Sequence, residues 1–271
     1  MYEKYWGLKE KPFENTPDPR FIFHSKNHEE ALLRLLYAIK EEKGAGMLTG
    51  QIGSGKTLLS RVITDELIRN KVYEVALLTY PQLDPGQFLQ EVIYQLEGSE
   101  VKTEDRPLLL HGLQERIYKN FNEGKKTVVI IDEAQIIKDE ETFESLRLLL
   151  NFQLNDKFLL TLILLGQPEL IKKINGIPPL EQRIGVKFHL DALSQAEVDA
   201  YIAHRIAVAG REEPIFTKEA VEFIYDYSQG IPRKINNVCD IALLIGFGRQ
   251  VKTIDRDIIH SVIFDLTREV S

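Results

Sequence analysis

At 271 residues, with 44% hydrophobic and 28% charged side chains, the chain has the make-up of an ordinary globular protein, one large domain or two smaller ones. Its net charge of −7 argues against broad non-specific nucleic-acid binding and leaves room only for a local basic patch. Cys239 is the single cysteine, which excludes an internal disulfide; no apolar run approaches a membrane span, and the charged, aromatic N-terminus is no signal peptide.

Residues 1–27 are rich in aromatics and proline, among them Tyr2, Trp6, Pro12, Phe13, Pro17, Pro19 and Phe21. Closely spaced prolines cut helices short, so this segment reads as an extended strap packed over a domain surface. A helix is expected from about His28, with Leu32, Leu35, Leu36 and Ile39 on one face. An apolar strand then leads into the stretch around which the chain is organised, residues 47–57, MLTGQIGSGKT.

That stretch has the G-x-x-x-x-G-K-[ST] form of a P-loop, set between a strand and a helix as its mechanism requires. Glycines let the backbone curl with its N–H groups pointing inward, and the following helix adds its N-terminus to the anion site. Gly50, Gln51, Ile52, Gly53, Ser54, Gly55, Lys56, Thr57 and Leu58 are therefore the expected nucleotide-binding set. Lys56 supplies a point charge for the β- and γ-phosphates of ATP, and the Thr57 hydroxyl is a ligand for Mg²⁺.

After the P-loop helix (Leu59, Val62, Ile63, Leu67), a strand at 75–79 and a helix opened by Asp84-Pro85 are expected. Pro107 opens the next helix, with Leu110, Leu113, Ile117 and Phe121 inward. The run TVVIIDEAQ at 127–135 is a buried strand whose end releases Asp132 and Glu133 at the edge where open α/β sheets bind ligands. Two adjacent acids are awkward there without a cation. Asp132 suits the holding of Mg²⁺, and Glu133 is left to orient or deprotonate the attacking water. A solvated turn is the plainer alternative. A helix over about 139–150 and a strand over 158–165 follow, ending in Gly166-Gln167-Pro168. Gln167 is either a polar group reaching the γ-phosphate or its water, or a simple turn residue. Residues 180–183 make one more turn, and Val186, Phe188 and Leu190 alternate as a last strand.

From 191 the pattern changes to four helices with no strand between them. Ser194 and Glu197 form a capping box, Thr217 caps the second helix, Pro232 starts the third, and Ile258, Ile259, Val262 and Leu266 mark the fourth. The expected organisation is thus a strap (1–27), an α/β nucleotide-binding domain (28–190) and a small all-helical lid (191–271). The fold class is α/β, a P-loop parallel sheet with helices on both faces followed by that lid.

This plan resembles that of AAA+ ATPases. By that resemblance Gly230-Ile231-Pro232-Arg233 is similar to the family's second sensor, in which the proline starts a helix and Arg233 points at the γ-phosphate. A cation in a helix's first turn is otherwise unfavourably placed. Arg183, in LEQRI, occupies the place of the family's arginine finger, which completes the active site of a neighbouring subunit. The N-terminal block YWGLKEKPFENTPDPRFIFHSKNHEEALLRLLYAI narrows the resemblance to the general secretion pathway protein A (ExeA-like) family, as do TGQIGSGKT, IIDEAQ, LLGQPEL, LEQRI and GIPRKINNVCD. It implies an ATP- and Mg²⁺-dependent hydrolase, working as a homo-oligomer with active sites shared between subunits. Its setting would be the cytoplasm, at the inner-membrane face, serving assembly of a bacterial secretion or type IV pilus-like apparatus. The strap and the start of the first helix would line the adenine pocket. Full-length members continue into a membrane span and a peptidoglycan-binding domain, so peptidoglycan binding is expected only if such a further domain exists. The competing readings are a DNA-linked ATPase of the transposition-regulator type and a nucleotide-gated switch with negligible turnover. The acidic balance counts against nucleic acid as partner, and Glu133 counts against the switch.

Overall fold

The computed structural model describes residues 1–268; the last three residues of the expected helical domain, 269–271, lie outside the described residues. The chain divides into two compact units: one is Asn27–Ile52 with Lys56–Leu190, the other Met1–Lys26 with Gly53–Gly55 and the chain from Asp191.

The first unit is built on five strands: β1 (Ala45–Gly50), β2 (Tyr73–Leu78), β3 (Lys126–Ile131), β4 (Leu160–Gly166) and β5 (Ile184–Leu190). All neighbours run parallel, in the order β2-β3-β4-β1-β5. β3 and β4 are near-continuous apolar runs because both of their faces are covered. Val129, Ile131, Leu160, Leu162 and Leu164 join one large core cluster, while the intervening Val128, Ile130, Ile163 and Leu165 are buried outside it, as a period of two demands. Helices α1 (Lys26–Lys40), α2 (Lys56–Arg69), α3 (Pro85–Glu97), α4 (Arg106–Asn122), α5 (Glu140–Leu149), α6 (Glu169–Asn175) and α7 (Pro178–Glu181) complete the unit.

Local chemistry sets these boundaries. α3 starts at a full capping box, with the Asp84 carboxylate accepting from Gln87 N–H and the Gln87 amide oxygen from Asp84 N–H, and Pro85 just inside. It stops at Gly98 in the left-handed region (φ 72°). α4 starts one residue earlier than Pro107 suggests, because Asp105 caps it. Its buried stripe is Leu109, Leu113, Ile117 and Asn120, and the expected Leu110 and Phe121 are only half-buried against the same core. β4 likewise starts at Leu160; Phe158 sits instead in an antiparallel bridge with Gln153.

The second unit contains α8 (Gln195–Val208), α9 (Lys218–Ser228), α10 (Pro232–Gly248) and α11 (Arg256–Arg268). Its core takes Tyr2, Trp6, Leu8, Phe13 and Phe21 from the N-terminal segment alongside Val198, Ile224, Ile235, Val238 and Ile259. Trp6 Nε1 donates to Leu243 O at 2.9 Å, and Tyr2 OH donates to Asp240. The buried Arg205 ties the segment down: its guanidinium donates to Pro12 O, to Glu14 O (3.0 Å) and to Tyr201 OH (3.0 Å). Tyr201 OH passes the chain on to Asn236, whose amide donates to Asn15. Cys239 is free and buried in this core, and burial pushes its thiol pKa up. Among the described residues no helix is long and apolar enough to cross a membrane.

Candidate nucleotide-binding site

The sheet order decides what can meet. β1 and β3 are separated by β4, so the C-terminal ends of three adjacent parallel strands deliver their following residues to one edge. β1 leads into the P-loop, β3 into Asp132-Glu133, and β4 into Gln167.

Within the P-loop, Gly53 (φ +80°) and Gly55 (φ +107°) hold conformations that side chains with a Cβ rarely adopt. α2 begins at Lys56, which is buried, and its Nζ donates to Gly50 O and Gln51 O, each at 2.9 Å. The ammonium is thus folded over the carbonyls of its own loop. Thr57 and Leu58 are half-buried, Gln51 and Ile52 exposed, and Ser54 buried. The Thr57 hydroxyl faces the Asp132 carboxylate and pulls its pKa down, and the same carboxylate accepts from Glu133 N–H at 2.9 Å. Asp132 is only 1% exposed, and burial raises its pKa against the opposing pull of these two donors and of Lys56.

Glu133 is half-buried, in the left-handed region (φ 53°, ψ 36°), at the entry to the 3-10 turn Ala134–Ile136. Its Oε2 accepts from Gln135 Nε2 and, at 3.4 Å, from Gln167 Nε2. The structure therefore brings Lys56, Thr57 and Asp132 together, and Glu133 and Gln167 together beside them. Gln135 and Lys173 were invisible as partners of this cluster in the sequence: Gln135 only ended the TVVIIDEAQ run, and Lys173 belongs to no motif. Lys173 Nζ donates to Gln135 O (2.7 Å) and to Ile137 O.

Arg183 is elsewhere. It precedes β5, whose Ile184 pairs with Ala45 at the start of β1, so it stands at the N-terminal edge of the sheet, opposite to the P-loop. Its guanidinium donates to Asn151 Oδ1 (2.7 Å) and Pro179 O (3.3 Å). In the helical unit, Pro232 and the exposed Arg233 open α10, and Arg233 N–H donates to Gly53 O at 3.3 Å inside that unit.

Among the described residues, no group of three or more His, Cys, Asp or Glu side chains could enclose a metal. Mg²⁺ needs no such cage, since it is commonly held by one or two protein oxygens, water and substrate phosphates. The adjoining hard oxygens of Thr57 and Asp132 fit that requirement.

The AAA domain family matches residues 39–174. The General secretion pathway protein A of Aeromonas hydrophila is 37% identical over 251 residues, which cover 92% of this chain and 45% of that protein. This chain therefore spans less than half the length of that relative. Among solved structures, the Aeropyrum pernix ORC2 protein (ADPNP-ADP complexes) matches with a TM-score of 0.65 at 18% identity, over 89% of this chain and 67% of the other. The Aeropyrum pernix ORC1 protein in complex with DNA matches with a TM-score of 0.70 at 14% identity, over 96% and 70%. At such identities these two speak for the fold alone. A P-loop after β1, an acidic pair after β3 and a third strand between them, over the span the family matches, make this an AAA+ P-loop fold: the chain belongs to the AAA domain family, and within it resembles General secretion pathway protein A.

Proposed function

We propose that this chain hydrolyses ATP with Mg²⁺ and that the cycle drives assembly of a bacterial secretion or type IV pilus-like apparatus. The observation that carries the hydrolytic reading is the pairing at the sheet edge: the Thr57 hydroxyl on the Asp132 carboxylate, with the Glu133 carboxylate on the next residue. A purely nucleotide-gated switch has little need of that second acid. In this reading Lys56 exchanges its carbonyl partners for the β- and γ-phosphates, and Thr57 and Asp132 hold Mg²⁺, directly or through water. The bound ion neutralises charge on the phosphate oxygens. Glu133 takes the proton of the attacking water as its oxygen bonds to the γ-phosphorus. The bond from that phosphorus to the β-γ bridging oxygen breaks, leaving ADP and phosphate. Gln167 steadies the same carboxylate. Arg233, from the helical unit, reads the nucleotide, and residues 1–27 and the start of α1 serve the adenine. Arg183 serves the site of a neighbouring copy.

The apparatus is suggested by the similarity to General secretion pathway protein A and by that alone. Phosphate release measured with ATP, with and without Mg²⁺, tests the chemistry. Turnover that requires Mg²⁺ and falls by orders of magnitude in Glu133→Gln, with binding retained, is expected. Tight binding without turnover would leave the switch. Stimulation by duplex DNA that fades steeply with salt would move the assignment to a DNA-linked ATPase.

A further inference from the structure

We propose that Gln135 is a positioning residue that fixes which oxygen of Glu133 faces the attacking water; this rests on the hydrolytic reading above. The Gln135 side chain is engaged at both ends. Its Oε1 accepts from the backbone N–H of Gln167 at 3.0 Å, and its Nε2 donates to Glu133 Oε2. A backbone N–H can only donate, so Gln167 dictates which end of the amide is oxygen and thereby turns the NH₂ towards Glu133. The fit is close on the strand side as well: a Cβ on Gly166 would stand 2.8 Å from Gln135 Oε1 and 2.8 Å from Leu170 Cδ2. The last residue of β4 must therefore be glycine for the amide to lie where it does.

The main chain under this side chain is held equally firmly. Lys173, on α6, donates to the carbonyls of Gln135 and Ile137, and Ile136 N–H donates to Glu133 O at 2.9 Å. These bonds fasten a turn that Glu133 enters in a left-handed conformation uncommon for a residue with a side chain. Glu133 Oε2 is then doubly occupied, by Gln135 and by the longer bond from Gln167 Nε2, whereas Oε1 takes no hydrogen bond among the described residues. One carboxylate oxygen is clamped and the other is offered. Glutamine suits this position because one uncharged group of that length carries both the acceptor for Gln167 N–H and the donor for Glu133. It also makes the position of the catalytic carboxylate depend on where β4 ends.

The test compares the wild-type chain with Gln135→Glu and Gln135→Met in steady-state MgATP turnover, ADP affinity and thermal midpoint. Gln135→Glu keeps the acceptor for Gln167 N–H but turns an oxygen on Glu133; Gln135→Met is a close match in length and keeps neither bond. Loss of positioning alone costs on the order of a hundredfold in rate. Both variants should thus lose about that factor in kcat with KM and ADP affinity nearly unchanged, and Gln135→Met, which adds no charge, should keep its midpoint nearly unchanged as well. In a Glu133→Gln background, Gln135→Met should cause no further loss in single-turnover hydrolysis, because the residue acts through Glu133. Wild-type kcat in both variants, a parallel loss of nucleotide affinity, or the same fold loss in both backgrounds would overturn the inference. A wild-type chain that binds ATP without hydrolysing it would instead overturn the hydrolytic reading itself, and this inference with it.

Discussion

Arg183→Ala separates an active site held within one chain from one shared between copies. Ile184 pairs with Ala45 and Leu190 with Gly50, so Arg183 and the P-loop lie at opposite ends of the β1–β5 pair. Five strand steps at about 3.3 Å each put roughly 17 Å between those ends, beyond the reach of an arginine side chain. A unit charge at ~17 Å contributes about 1 kcal/mol at an effective dielectric constant of 20, and much less once salt screens it over a length of about 8 Å. Acting within its own chain, the arginine is therefore worth a few-fold in rate at most. Placed against the departing γ-phosphate of a neighbour it would be worth about a thousandfold or more. The two placements differ so widely that the rate of the mutant alone distinguishes them.

The assay is phosphate release from mixtures of Arg183→Ala and Glu133→Gln at fixed total protein, with assembly verified by light scattering. Each protein alone should be nearly inert, the first through its missing arginine and the second through its missing base. In a mixture, a site with an intact Glu133 can meet an intact Arg183 from the adjoining chain. If neighbours assort at random, about a quarter of sites are complete at equal proportions, and activity should peak there. A flat baseline at every ratio in verified assemblies, or an Arg183→Ala enzyme within a few-fold of wild type, would refute the shared site.

Lys56→Ala should lose ATP binding by calorimetry while the circular dichroism spectrum is kept, because its Nζ donates to two carbonyls of its own loop, Gly50 O and Gln51 O, and not to the packed core. Asp132→Asn should abolish Mg²⁺-dependent turnover yet raise the thermal midpoint of the nucleotide-free protein at neutral pH. Burial raises the Asp132 pKa, so folding favours the protonated form, and the ionised form opposes folding above that pKa; the gain should vanish as pH falls below the ordinary carboxylate value of 3.8. Arg205→Met should lower stability by about 3 kcal/mol in denaturant titration, since it strands the oxygens of Pro12, Glu14 and Tyr201. Unchanged stability would mean that the apolar replacement offsets the lost bonds.

The P-loop and the acidic pair were legible because backbone geometry and charge leave few residue choices there. Gly53 and Gly55 adopt positive φ, and two carboxylates end a buried strand. The strand alternation was legible too, but not the sheet order. Nothing in the apolar runs says that β4 slots between β1 and β3, and that insertion is what sets Gln167 beside Glu133. Tyr2, Trp6, Phe13 and Phe21 were visible as an unusual aromatic group, but their membership of the helical unit's core depends on contacts more than 180 residues apart in sequence, such as Trp6 to Leu243. The roles of Gln135 and Lys173 were hidden for a similar reason, since an amide or an ammonium has no periodic signature until its partners are in place.

The site is also where the fold departs from what stability alone would select. Asp132 is a carboxylate in a setting that disfavours its charge, Lys56 is a buried cation set against backbone carbonyls, and Glu133 holds a backbone conformation uncommon outside glycine. These three features stand at the end of a sheet whose other buried positions are apolar apart from Thr49, Thr127 and Thr161. In the proposed reading a bound polyphosphate and its cation would offset the first two, phosphate for Lys56 and a metal for Asp132, while the Glu133 backbone is held by the turn that follows it, where Ile136 N–H donates to Glu133 O. Their concentration at one sheet edge supports the proposal that this edge serves a charged ligand.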